Sequence, residues 1–386
     1  MKIGIYPAEY SRKLGGSARF EFEVVNAIAK AQNGKHEFCI LGGTDRRTVD
    51  LPHVEVPQPV PVTRTSLLLQ RTGFAKDPSI AIRTSLQAAG IDLVFSAHPS
   101  TLCEDVPYIV TCWDLEHRVL PFFPEVSHQG WTWKNRQQHY RTVLRRAAGV
   151  ITGTQRGQQE IERFFGVDPD RISIIPFFVP QTLVASESIK PDWAPESPFL
   201  FYPAQFWPHK NHVTVLHALK RLQDNGHKNL TVVFSGSANL DHYCTKQYVA
   251  DTAESLGVSI MTPGFVSDEN LRWLYEHAQA LVYASLFGPD NLPPLEAMSL
   301  GCPVVASEVS GSKEQFGDAA LLVPPANENE MAAAIDRLLK DQAERTQWVE
   351  RGRKWVEHLT MDHYVRELFE LFDRFATYRR CWPSTR

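Results

Sequence analysis

Short apolar runs rich in β-branched residues alternate with amphipathic helical patterns along almost the whole chain, and few folds accommodate such a sequence. KIGIY (2–6), HEFCILGG (36–43), IDLVFSA (91–97), PYIVTCW (107–113) and AGVITGT (148–154) each read as a buried strand. After the first of them, Phe20, Val24, Ala27 and Ile28 recur at the spacing of one helical face. Strands that are apolar on both faces and separated by helices build parallel sheets with helices packed on each side. The pattern breaks at IIPFFVPQTLVASESIKPDWAPESP (174–198), whose prolines and serines follow no period and read as a linker. It restarts with FLFYPA (199–204), NLTVVFSGS (229–237), SIMTPG (259–264), QALVYAS (279–285), CPVVAS (302–307) and ALLVPP (320–325). Val215, Leu216, Leu219 and Leu222 mark an intervening helix face. The expectation is an α/β protein of two Rossmann-like βαβ domains, with the carboxyl ends of both parallel sheets facing a deep interdomain cleft. The expected domains are 1–180 and 190–358, and the segment 359–386 is expected to be a helix that packs back on the first domain.

Composition narrows the function classes. A net charge of −4 over 386 residues leaves no global electrostatic footprint for nucleic acid, and none is expected as a partner. The six cysteines include no CxxC pair, which in a chain of this size reads as reduced structural thiols. No run approaches the roughly 18 apolar residues of a spanning helix, and MKIGIYPAEYSRK lacks the apolar core of a signal peptide. The expected location is cytoplasmic, with peripheral contact at the inner face of the membrane left open.

Two segments carry the chemistry. In SLFGPDNLPPLEAMSLGCPVVASE (285–308), Pro294 suits a first helical turn and Gly301 a helix end, which is expected to place Glu296 in the first turn of a helix. One reading of Glu296 is a charge that complements the helix dipole; the other is an acceptor for ligand hydroxyls such as those of a ribose. In FYPAQFWPHKNHVTVLHAL (201–219), Lys210 stands beside a predicted helix start, where a cation opposes the macrodipole. A phosphate held between helix amides and ammonium would explain it; an exposed loop lysine is the plainer account.

These segments, with Gly15–Gly16 after the first strand, WDLEHRVLPFFPE (113–125), HKNH (209–212), GFVSDENLRWLYEHAQALVYAS (264–285) and LPPLEAMSLGCPVVAS (292–307), resemble the retaining family-four glycosyltransferases of the GT-B fold, in a mannosyltransferase-like branch that builds bacterial surface glycans. The resemblance implies that Glu296 binds the donor ribose and that Lys210 neutralises the donor diphosphate. Gly15 and Gly16 match the loop that lets diphosphate and sugar approach the backbone. Asn291 and Leu292 fall where backbone amides meet the donor. Gln205 occupies the place of the family's usual arginine, five residues before Lys210. Gly288 stands where the first signature glutamate belongs, eight residues before Glu296, which leaves Asp290 as the nearest carboxylate for the donor sugar. Trp113 replaces a histidine ahead of Asp114, with His117 close by.

The implied activity is hexosyl transfer, with mannose as a candidate, from a GDP- or UDP-sugar to a glycan or lipid-linked acceptor in polysaccharide or lipopolysaccharide synthesis. Asp114, His117, Lys210 and Asp290 are the catalytic candidates. No cofactor beyond the nucleotide-sugar co-substrate is expected, and no metal. Asp168 and Asp170 in VDPDRI (167–172) read as a turn, and His209 and His212 lack a third ligand nearby in sequence. The basic stretch WTWKNRQQHYRTVLRR (131–146), with Lys134, Arg136, Arg141, Arg145 and Arg146, and RTSLLLQRTGFAK (64–76) suggest peripheral membrane contact or a solvated face. A non-catalytic relative that binds nucleotide sugar or glycan is the alternative, favoured by Gly288 and Gln205. Restoring glutamate or arginine at those positions should raise turnover if they limit it. A nicotinamide-dependent oxidoreductase is the other rival, and it lacks a GxGxxG after any strand.

Overall fold

The structure, a computed structural model, describes residues 1–8, 16–32, 34–42, 49–57, 78–126, 132–236 and 243–383. The stretch 64–76 lies outside them. Seven parallel strands form the first sheet: β1 (Lys2–Ile5), β2 (Glu37–Leu41), β3 (His53–Val54), β4 (Leu93–Ser96), β5 (Tyr108–Thr111), β6 (Gly149–Thr152) and β7 (Ile172–Ile174), in the order β3-β2-β1-β4-β5-β6-β7. Six more form the second: β8 (Phe199–Pro203), β9 (Thr231–Ser235), β10 (Ile260–Gly264), β11 (Ala280–Tyr283), β12 (Val304–Ser307) and β13 (Leu321–Val323), in the order β10-β9-β8-β11-β12-β13. Every assigned pairing is parallel. The two-domain α/β architecture read from the alternation is the one observed.

Strand order reverses between β1 and β4 in one sheet and between β8 and β11 in the other. At such a switch point the loops leaving adjacent strands run to opposite faces of the sheet and open a crevice beyond the carboxyl ends. Both crevices open toward the space between the domains, so the chain leaving β1, β5, β8 and β11 converges there.

The expected linker is more structured than its prolines and serines suggest. β7 closes one sheet edge, and Gln181–Ala185 forms a short helix. Phe177 and Phe178 are buried in the first core, and Val179 and Leu183 in the second. The segment therefore joins the two cores; its apolar residues follow no regular period because successive ones serve different domains.

The helix Met361–Arg379 follows the second domain and buries Tyr364, Leu368, Leu371 and Phe372 in the first-domain core. Tyr364 meets Phe20 edge-on at 5.5 Å, and Phe372 meets Phe95 edge-on at 5.5 Å. This return crossing means that chain order and domain membership differ at the C-terminal end. Phe372 is fully buried, so Phe372→Ala is expected to cost the first domain about 3–5 kcal/mol through lost contact and a residual cavity. Urea unfolding followed by a first-domain tryptophan, with a second-domain probe as control, measures it.

Candidate functional site

The interdomain cleft encloses a cavity of about 460 Å³ and is lined from both domains, including Gly16, Arg19, Asp114, Gln205, Lys210 and Glu296. A larger groove of about 920 Å³ lies on the outer face between the helices Gly16–Lys30 and Met361–Arg379. Its charged groups, among them Lys30, Lys35, Arg366, Glu370 and Asp373, mix signs along an open surface, and it lies away from the strand ends. The interdomain cleft is therefore the candidate site.

Lys210 ends a single 3-10 turn, Pro208–Lys210, beyond β8. Asn211 follows in the left-handed region at φ 52°, and the helix His212–Asp224 begins there. The Lys210 Nζ lies 3.2 Å from the Tyr283 hydroxyl and 3.5 Å from Ser285 Oγ. Tyr283 donates its own proton to Asn291 Oδ1 at 2.9 Å, which leaves its oxygen facing the ammonium. Among the described residues Lys210 forms no ion pair. A half-buried ammonium with neutral partners at the mouth of a cleft is a place for an anion.

Glu296 lines the same cleft, 4% exposed, on the helix Leu292–Ser299. It is the fifth residue of that helix, outside the first turn, so the dipole reading no longer applies. Its Oε2 accepts the Tyr275 hydroxyl at 2.6 Å, and its Oε1 faces Arg19 Nη1 at 3.4 Å. Arg19 also pairs with Asp268. Burial pushes the Glu296 carboxyl up, opposed by the charge of Arg19 and the hydrogen bond from Tyr275. Arg19 was not among the residues singled out from the sequence. The available signal was its place in GGSARF, one helical turn beyond the glycine pair.

A second feature absent from the sequence reading bridges the domains. The backbone N–H of His209 donates to Glu125 Oε1 at 3.0 Å, and its Nδ1 lies 2.6 Å from the same oxygen and 3.1 Å from Glu116 Oε1. Burial and Lys210 push the imidazole down, but the two carboxylates prevail and hold its pKa above the ordinary value. Glu116 is held below the usual carboxylate value, His209 and other nearby cations outweighing the upward push of burial. These three groups are also the one cluster among the described residues whose donor atoms lie close enough together for a metal ion. Yet Nδ1 cannot both carry the proton shared with Glu125 and ligate a metal. The short contact and the raised basicity fit the charge-assisted hydrogen bond.

Two family models match the chain in tandem: "Glycosyltransferase Family 4" over residues 14–182 and "Glycosyl transferases group 1" over residues 185–355. The chain belongs to the family-four glycosyltransferases. Among its relatives, O-antigen chain mannosyltransferase B of Escherichia coli is 29% identical over 219 residues, 53% of this chain and 54% of that one. O-antigen chain mannosyltransferase RfbU of Salmonella typhimurium is 26% identical over 297 residues, covering 74% and 76%. The match spans about half the length of the first of these relatives. Sucrose-phosphate synthase from Thermosynechococcus elongatus superposes with a TM-score of 0.73 at 18% identity, over 98% of this chain and 100% of that one. WaaG, described as a glycosyltransferase involved in lipopolysaccharide biosynthesis, gives 0.67 at 16% identity, over 94% and 98%. These likenesses show the GT-B fold.

Relative to what the family-four resemblance implied, several positions differ. Gly15 lies outside the described residues. Gly16 begins its helix on the cleft wall, and Leu292 lines the cleft across from it. Asn291 does not offer its backbone amide: that N–H donates to Gln315 Oε1 at 2.9 Å, and its side-chain amide donates to the Gly288 carbonyl at 2.6 Å. Its contribution is to hold the loop and Tyr283. Gly288 has φ 131°, and a Cβ there would overlap the Asn291 side chain. A side chain at 288 therefore strains the backbone and displaces Asn291, so Gly288→Glu is not expected to raise turnover in this loop. Gln205 lines the cleft, with its Oε1 accepting the Trp207 indole N–H at 2.6 Å.

Asp114 and Asp290 both reach the cleft. Asp114 Oδ1 accepts the Glu116 N–H at 3.0 Å, and burial followed by the charge of Glu116 raises its pKa. Asp290 is pushed well above the usual carboxylate range by burial and then by Glu314, although Gly153 donates a backbone N–H to it. The Asp290 Oδ2 is buried without a partner among the described residues. His117 is fully buried, stacked on Tyr140 at 5.3 Å, and pushed down to about 4 by burial. It is a neutral core histidine outside the cleft, which removes it from the catalytic candidates. His212 is also a core residue, stacked on Phe206 at 4.6 Å and turned away from any shared ligand set with His209. Asp168 caps its own turn by accepting the Asp170 N–H at 3.0 Å.

Proposed function

We propose that the chain transfers a hexosyl group, with retention, from a nucleoside-diphosphate sugar to a glycan or lipid-linked acceptor in bacterial surface-polysaccharide synthesis. The observation that carries this reading is the Lys210 ammonium, which forms no ion pair among the described residues and lines the same cleft as Glu296 at the strand ends. Several relatives bear the name mannosyltransferase, which favours mannose as the hexose; a GDP- or UDP-sugar is the proposed donor. The bond between the anomeric carbon and the diphosphate oxygen breaks, and a bond to the acceptor oxygen forms on the same face. The acceptor proton passes to the departing diphosphate. Lys210 stabilises the charge that develops on that leaving group, an electrostatic contribution that commonly dominates such reactions. Asp290, shifted toward its protonated form, donates a hydrogen bond to a donor-sugar oxygen. Asp114 orients the acceptor hydroxyl. The positive groups of the chain supply the charge compensation, so the reading requires no metal.

The acceptor approaches from the first domain. Phe122 is 93% exposed, and Lys134, Arg141 and Arg145 project from the helix Trp133–Arg146. In this reading they meet the anionic face of a membrane carrying a lipid-linked acceptor. Arg136 and Arg146 are engaged by the carbonyls of Glu125 and Glu104. No helix among the described residues is long and apolar enough to cross a membrane.

A thermal-shift panel of GDP, UDP, ADP and CMP with their hexose conjugates tests the donor site. A ligand at a hundred times its dissociation constant adds about 2.7 kcal/mol of stability. A selective shift by one nucleoside diphosphate, together with its release from the sugar conjugate in the presence of a lipid-linked acceptor, is expected. A shift without any transfer would favour the non-catalytic relative, to which Gln205 and Gly288 also point. No shift with any nucleotide would refute the donor site.

A further inference from the structure

A nucleoside diphosphate brings at least two negative charges into the cleft, and the described lining residues include two with lysine or arginine side chains, Lys210 and Arg19. Position 205, five residues before Lys210 on the same cleft wall, is a neutral glutamine whose side-chain oxygen accepts the Trp207 indole N–H. Arg19 leaves the first turn of the helix Gly16–Lys30, immediately beyond the glycine loop, and points across to the second domain. There it meets Glu296 through a single long contact of 3.4 Å, short of the bidentate geometry that makes arginine–carboxylate pairs strong. It also pairs with Asp268. Glu296 therefore holds the guanidinium loosely, and its other oxygen is already fixed by Tyr275 at 2.6 Å.

We infer that Arg19 is a donor-binding residue that supplies the diphosphate with a guanidinium from the first domain. This inference rests on the nucleotide-sugar reading of the cleft. When ribose hydroxyls take the Oε1 of Glu296, Arg19 loses that partner in a largely buried place and turns to the phosphates beside Gly16. The exchange keeps Glu296 and Arg19 paired, because the carboxylate gains hydroxyl donors as the guanidinium gains phosphate oxygens, while Asp268, a third exposed, is left to solvent. Unliganded Arg19 thus keeps Glu296 compensated, and the diphosphate becomes its partner only together with the ribose.

Titration calorimetry with GDP, UDP, guanosine and uridine on the wild type, Arg19→Ala, Arg19→Lys and the double variant Arg19→Ala/Gln205→Arg tests it. Arg19→Ala is expected to weaken the diphosphates by roughly ten- to hundredfold, the range for a lost charged hydrogen bond, while leaving the nucleosides within about twofold. Arg19→Lys keeps the charge without the fork and falls between. The double variant recovers part of the loss. If diphosphate and nucleoside weaken equally, Arg19 only holds Glu296 in place and the inference fails. It also fails if Arg19→Ala, or Arg19→Lys should the alanine variant not fold, binds the diphosphates as the wild type does. A wild type that binds none of the four probes overturns the nucleotide-sugar reading and this inference with it.

Discussion

Lys210→Ala is expected to weaken nucleoside-diphosphate binding by about ten- to hundredfold and to lower the rate of hexosyl transfer by about a hundred- to a thousandfold. The binding loss follows from removing a cleft cation that has no carboxylate partner among the described residues. The rate loss is larger because negative charge grows on the diphosphate as the glycosidic bond breaks, so the ammonium interacts more strongly with the transition state than with the bound donor. Stability should hardly change. Among the described residues the Nζ has only the Tyr283 and Ser285 hydroxyls as hydrogen-bond partners, and Tyr283 keeps its bond to Asn291 when the lysine is gone. Calorimetry with GDP and UDP, single-turnover transfer rates and a melting curve separate these effects. Normal affinity in a folded Lys210→Ala protein would mean that the phosphate lies elsewhere in the cleft.

His209→Gln is expected to have the largest effect on stability, about 3–5 kcal/mol at neutral pH. It leaves two buried carboxylates facing each other without their cation. The pH dependence gives a sharper test. The folded-state pKa of His209 is raised above its ordinary 6.5, so its stabilising contribution is complete below about that pH. The contribution declines as the pH rises through the raised value. Glu116 works from the other side: its folded pKa is lowered, and its contribution is lost only as acid protonates it below the ordinary carboxylate range. Melting temperatures of wild type and His209→Gln should therefore converge as the pH climbs above neutral and differ most in mildly acidic buffer. A constant gap across pH 6 to 9 would show that the bridge does not depend on an imidazolium. Because Glu116 and Glu125 belong to the first domain and His209 precedes Lys210 in the second, the same substitution should also loosen the placement of the ammonium.

Particular residues show why some of the site was legible in the sequence and some was not. Lys210 and Glu296 were recognisable because each sits in a local motif: a strand, a glycine- or proline-bearing loop and a helix start within some twenty residues. His117 lay in an equally suggestive stretch, yet the short helix Glu116–Val119 turns it inward against Tyr140. Which way a side chain leaves a four-residue helix depends on what packs there, and the nearby sequence carries no such information. Asn291 illustrates a related limit. The resemblance implied that its amide meets the donor, but Gln315, 24 residues further on, takes it.

The amino-acid sequence by itself determined the two parallel sheets, their division near residues 174–198 and the family, because alternating apolar runs and helical faces are local patterns that hydrophobic burial enforces. Tertiary structure alone decided that Arg19 meets Glu296 across 277 positions, and that His209 is held by Glu116 and Glu125 from the other domain. It also decided that the last helix completes the first core. These are contacts between groups far apart in the chain. They form only when strand order brings the carboxyl ends of both sheets to one cleft, and burial there strengthens the pairing of opposite charges.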